Sequence, residues 1–307
     1  MKIQRIVLWV FITLLLGLCL LSCSKESPSS PEEVEIPHGY DSSFDYLSVL
    51  KSSPEYGYES TEGYPAFTYQ DSTAQNLVAL RETHDLKKAA GDGDEMSKIF
   101  KLLQWVHTTI RHNGQALSPD PENALNILQY CQDTGNGVNC VMMAIVLNEV
   151  YLSMGFKSRY VNGHCKTRIF DEWHVFNMVY STTLGKWLFV DPTFNAYFTD
   201  ENGNVLGIRE IREHLIQDQL IILNDGADYN GLSLHETDDP DYLHYLTKNF
   251  YRFSCPVRSE FGYGYFHFSS ESIRTFINLN PKNDKQGAVY GAINCFTSNP
   301  DYFWVKP

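Results

Sequence analysis

The run from Cys140 to Met154 is apolar on almost every side. Met143, Val146, Leu147, Val150 and Met154 recur at helical spacing, and Val141, Met142 and Ile145 fill the other sides. A helix of this kind has no face to give to water, so it is predicted to lie buried at the centre of the fold. Gly135-Asn136-Gly137 makes a turn before it and Gly155 ends it. Cys140 therefore stands in the first turn of a central helix.

The elements around that helix fall into an order. Ser72 to Ala90 reads as a helix with Leu77, Leu80 and Leu86 as apolar points, broken by Asp92-Gly93-Asp94. Met96 to Ile110 is stronger: Ile99, Leu102, Leu103, Val106 and Ile110 follow one helical face, and Asp94 is placed to cap it. Pro121 to Gln132 is a third helix with Ala124, Leu125 and Leu128 inward. Strand signals follow Gly155, at Ser158–Asn162, Trp173–Tyr180 and Lys186–Val190. Helices first and strands second argue an α+β class rather than βαβ alternation. Glu210–Ile221 reads as one further helix, and the short aromatic segments beyond Tyr242 read as extra strands. The expected layout is a domain over 41–230 followed by an aromatic-rich β extension over 231–307.

The N-terminus has the form of an export signal: Lys2 and Arg5, then an apolar stretch from Ile6 to Leu21. Its exit, Leu20-Leu21-Ser22-Cys23, resembles a bacterial lipobox, which implies cleavage after residue 22 and lipidation of Cys23. Leu16-Gly17-Leu18-Cys19 is a weaker rival, because Leu18 is not small. Ser24 to Gly39 is rich in Ser, Pro and Glu, and it is expected to be a flexible tether within residues 23–40. The expected location is the bacterial cell envelope, with membrane attachment through the lipid. The net charge of −13 argues against nucleic acid and against a polybasic membrane patch. Five cysteines remain beyond Cys23: Cys131, Cys140, Cys165, Cys255 and Cys295. An odd number leaves at least one thiol free in an oxidising compartment. The other four either form two bridges, in any of three pairings, or stay as small buried residues.

Cys140, His174 and Asp191 supply the chemistry. A thiol at a helix N-terminus meets the positive end of the dipole, which favours the thiolate, and free N–H groups that can stabilise an oxyanion. It then needs a base and a group to orient that base. If His174 pairs directly with Asp191, the same hairpin register pairs Phe176 with Phe189, Met178 with Trp187 and Tyr180 with Gly185. Ser181 to Leu184 then form the loop. A slip of one residue would put the carboxylate on the opposite face.

Several of these segments together resemble the bacterial transglutaminase-like superfamily. They are Gly137-Val138-Asn139-Cys140, Gly155-Phe156-Lys157-Ser158-Arg159-Tyr160-Val161, His174-Val175-Phe176-Asn177-Met178-Val179, Lys186-Trp187 and Asp191-Pro192-Thr193-Phe194-Asn195. The resemblance spans about Met96 to Asn195. It implies a papain-like α+β core with Cys140 as nucleophile, His174 as base and acid, and Asp191 as orienting carboxylate. The chain departs from many members at Val138, where they have Gly, and at Phe176, where they have Trp. Gln104 and Asn139 are the candidate side-chain oxyanion donors. The expected partner is a peptide, protein or peptide-glycan substrate, with no cofactor and no metal. Cys131, Cys140, His164, Cys165 and His174 lack the short spacings of common zinc sites. Tyr263, Tyr265, Phe266 and Phe268 could stack on sugars, but read more simply as one packed strand face. The expected activity is cysteine-based cleavage or exchange of an amide bond, with hydrolysis favoured. The alternative is a catalytically silent surface module that binds peptide or glycan.

Overall fold

Local chemistry sets where each helix starts and stops. The computed structural model describes residues 40–166, 173–235, 242–265, 274–284, 286 and 288–307. The expected signal, Cys23 and the tether up to residue 39 lie outside them. The stretch 72–90 is two helices rather than one, α1 (Gln75–Thr83) and α2 (Leu86–Ala90). Asp85 between them has φ +47, a left-handed conformation that breaks a right-handed helix. α3 (Glu95–Thr109) starts where Asp94 accepts from the Ser97 N–H at 2.8 Å. α4 (Ala124–Thr134) begins later than its proline suggests, because Asn123 is the cap, accepting from the Asn126 N–H. α5 (Cys140–Ser153) is the apolar run, and every residue from Val141 to Ser153 is buried.

Six strands form one sheet. β1 (Ser158–His164), β2 (His174–Ser181) and β3 (Lys186–Val190) make its first half. α6 (Ile208–Ile216) and α7 (Tyr242–Asn249) follow. α6 stops short of Ile221, with Asp218 left-handed just beyond it. The segment from Tyr242 is a helix rather than a strand: Tyr242, Leu246 and Phe250 recur every four residues and are all buried. β4 (Arg252–Pro256), β5 (Thr275–Leu279) and β6 (Ile293–Thr297) complete the sheet in the order β6-β5-β4-β1-β2-β3. Within this sheet the β5–β6 pair is parallel and the other pairs are antiparallel.

The sheet separates two cores. On one face Tyr160, Val175, Val179, Leu188 and Phe276 pack with Met142, Val146 and Val150 of α5 and with residues of α1 to α4. On the other, Val161, Phe176, Met178, Phe189 and Ile277 pack with Ile208 and Ile211 of α6 and with Tyr242 and Leu246 of α7. The alternation along β2 thus serves two cores, which is why the strand reads as apolar throughout. α5 is covered by helices on one side and sheet on the other.

The β2–β3 register differs from the expected one by two residues. Met178 pairs with Phe189, Tyr180 with Trp187 and Ser181 with Lys186, leaving residues 182–185 as the loop. The reason is Gly185, whose φ of +66 suits a turn and not a strand. The loop is also pinned to the start of α3. Glu95 accepts from the Ser181 and Thr182 hydroxyls at 2.6 Å each and from the Thr182 and Thr183 N–H groups at 2.8 Å. Partial burial opposes ionisation of Glu95, but these bonds outweigh it and hold the carboxyl down to about 2. A shift of two keeps every side chain on its face, so His174 and Asp191 still share one side.

Cys131, Cys140, Cys255 and Cys295 are unbridged thiols, so the two-bridge alternative is not formed. Burial pushes the Cys255 thiol up to about 11, consistent with an inert packing role.

Candidate active site

Three chain positions meet where the N-terminal end of α5 comes to the end of the β2–β3 pair that carries His174 and Asp191. Cys140 is the first residue of α5, half-buried, behind a cap in which Asn139 Oδ1 accepts from the Met142 N–H at 3.1 Å. His174 opens β2, and Asp191 follows β3 directly. Asp191 closes a tight turn by exchanging backbone hydrogen bonds with Ala196 at 2.9 and 3.1 Å, with Asn195 left-handed inside it. His174 Nε2 lies 2.6 Å from Asp191 Oδ2, and both side chains are buried. With Nε2 engaged, Nδ1 is the nitrogen left for the sulfur, which is within hydrogen-bonding reach of this imidazole.

The carboxylate is held from two further directions. The Thr193 N–H donates to Oδ1 at 2.9 Å, and the Tyr242 hydroxyl donates to Oδ2 at 2.5 Å. The imidazole is walled by Phe176, Phe194 and Tyr245, with ring centroids 5.4 to 5.9 Å away. These rings exclude water and strengthen the charge interactions inside. Burial opposes the charge on His174, but the Asp191 carboxylate and the sulfur overcome it and raise the imidazole to about 10. Burial likewise opposes the thiolate, while hydrogen bonds from His112 and His174 bring the Cys140 thiol down to about 6. Near neutral pH the resting pair is therefore thiolate and imidazolium.

Two contributors were not legible in the sequence. His112 sits in the segment after α3, and the sulfur is within hydrogen-bonding reach of it too. Tyr242 comes from α7, far down the chain. Neither lies in a motif of local spacing, so no sequence signal marks them. Of the two candidate oxyanion donors, Gln104 is exposed on α3, and the Asn139 side-chain oxygen is taken up as the cap of α5. Tyr263 and Tyr265 are buried against other residues rather than offered as a platform, while Phe266 and Phe268 lie outside the described residues. His164 meets the Ser254 hydroxyl at 3.1 Å.

Residues 84–192 match the family model of the transglutaminase-like superfamily. This stretch is similar to a transglutaminase-like core. The family is one of cysteine-based enzymes, and the match ends just past the carboxylate. A solved structure of a candidate cysteine protease from Cytophaga hutchinsonii is similar over 46% of this chain and 43% of its own, at 16% identity and a TM-score of 0.29. This chain thus covers less than half the length of that relative, and so loose a likeness adds nothing to the site's geometry. No curated protein matches the chain.

Proposed function

We propose that the transglutaminase-like core is a cysteine acyl-transfer enzyme, working as a peptidase or amidase from a lipid anchor in the bacterial cell envelope. The observation that carries the chemistry is the line from the Asp191 carboxylate through the His174 imidazole to the Cys140 sulfur. The thiolate attacks the amide carbonyl carbon, and the π pair moves to the oxygen. Collapse of that oxyanion breaks the C–N bond, and His174 gives its proton to the departing amine. The product is a thioester on Cys140. Water then attacks it, losing a proton to His174, and the acid leaves as the sulfur is restored. An amine in place of water gives transamidation. Hydrolysis is favoured because an envelope protein meets water in excess. The anchor rests on Ser22-Cys23 and the tether behind it.

The low thiol argues against the silent-module alternative, since a binding surface has no need of a thiolate beside an imidazolium. Iodoacetamide labelling, mapped by mass to the Cys140 peptide across pH, tests the reading. The expected result is fast labelling near pH 7 that is lost in His174→Ala. Labelling no faster than a free thiol of about 8.5 favours the module instead. Products from amide libraries, compared between the unaltered protein and Cys140→Ala with and without added amine, separate hydrolysis from transamidation.

A further inference from the structure

Two imidazoles lower the one thiol, the second of them carried beside it by a backbone bridge, and their partners are chemically different. His174 leans on a carboxylate, which makes it a cation and a proton donor. His112 leans on a phenol: its Nδ1 lies 2.9 Å from the Tyr229 hydroxyl. With Nδ1 engaged, Nε2 is the atom left for the sulfur. A ring held this way is suited to give a hydrogen bond without giving up a proton.

The backbone of His112 is fixed from two sides. A parallel bridge ties it to Val138, two residues before the nucleophile. In that bridge the Val138 N–H donates to the Arg111 carbonyl at 3.0 Å and the Asn113 N–H donates to the Val138 carbonyl at 2.8 Å. Gly137 permits the approach, since a Cβ there would stand 2.3 Å from the Arg111 oxygen. On the other side Asn230 accepts from the His112 N–H at 2.8 Å and donates to the His112 carbonyl at 3.1 Å. The two residues before Asn230 supply the rest: Tyr229 for the His112 ring, and Asp228, 2.9 Å from His107 Nε2. His107 in turn meets the Pro192 carbonyl at 2.9 Å, beside Asp191. The segment 228–230 therefore positions His112 and braces the turn behind the carboxylate. His112 is only half-buried, so a substrate can reach it.

From this geometry we infer that His112 is the side-chain donor of the oxyanion hole, acting with the first backbone N–H groups of α5. Once the S–C bond forms, the carbonyl oxygen is two bonds from the sulfur, within reach of a donor held beside it. The ring is in place before reaction, which is when such a donor is most effective. This rests on the acyl-transfer reading above.

The test compares two reactions of the same thiolate. Acylation by p-nitrophenyl acetate passes through an oxyanion, and alkylation by iodoacetamide does not. The ratio of their Cys140-specific rates cancels the thiolate population and isolates stabilisation of the oxygen. In His112→Ala the ratio is expected to fall by roughly a hundredfold, the scale of a lost oxyanion donor. His112→Gln, which keeps an N–H, recovers part of it, and Tyr229→Phe loses a few-fold. If His112→Ala does not fold, the Gln and Phe variants read the same ratio. A ratio unmoved by these changes overturns the assignment and leaves the triad reading intact. If the unaltered protein shows no Cys140-dependent acylation, the acyl-transfer reading itself falls and takes this assignment with it.

Discussion

At the scale of single residues, the site works by setting opposite charges where burial alone would forbid them. The thiol at about 6 and the imidazole at about 10 bracket the range in which the ion pair exists. Below the first the sulfur takes up a proton, and above the second the imidazole loses one. Cys140 acylation by p-nitrophenyl acetate is therefore expected to rise through pH 6, stay level across neutrality and change again near pH 10. A single rise near 8.5, the free-thiol value, would contradict the pair. Asp191 has three partners, and their removal is not equivalent. Asp191→Asn takes the charge from behind His174 and is expected to lower acylation by at least about a hundredfold. Tyr242→Phe removes one neutral donor while the Thr193 N–H and the imidazole remain, so a loss of only several-fold is expected in the same assay.

At the scale of elements, the β2–β3 hairpin carries both the base and its orienting group, so its register decides the chemistry. Alternation along the strands fixes the face, but it fits registers two residues apart equally well. The choice between them falls to Gly185 and to Glu95, which ties the loop to the start of α3. Glu95→Ala is expected to cost about 1 kcal/mol, kept small by solvent at this partly exposed carboxylate. The sign follows from a lowered carboxyl. Its contribution is fully present above the unfolded value of 4.5 and is lost as pH falls through about 2. Urea melts of the two proteins should differ at pH 6 and converge near pH 2. The helix starts were readable because Asp94 is a local cap and Gly135-Asn136-Gly137 a local turn. The break at Asp85 was not, because a left-handed Asp has no fixed signature in sequence.

At the scale of the whole molecule, the C-terminal part is built into the sheet. β4 pairs with β1, and β5 and β6 follow outward. Tyr242 of α7 reaches back to the Asp191 carboxylate. Buried Arg159 of β1 donates to the carbonyls of Phe303 and Val305 near the end of the chain. A chain ending at residue 230 would expose the β1 edge and half of one core, so it is expected to aggregate rather than fold. A soluble fragment with the circular dichroism of an intact sheet would contradict this. The N-terminal proposal is tested separately: Cys23→Ala should abolish palmitate labelling in cells and move the protein from the membrane to the soluble fraction.

The sequence by itself determined the buried helix, the α+β order and the thiol, imidazole and carboxylate. Each of these is written in local spacing, caps or a strand face, where a residue's neighbours in the chain are also its neighbours in space. Only the tertiary structure decided the hairpin register, the helix at 242–249 and the approach of His112 and Tyr242 to the reacting groups. Those contacts join segments with no shared periodicity, so they exist only once two cores have packed against one sheet and brought distant backbones within a hydrogen bond of each other.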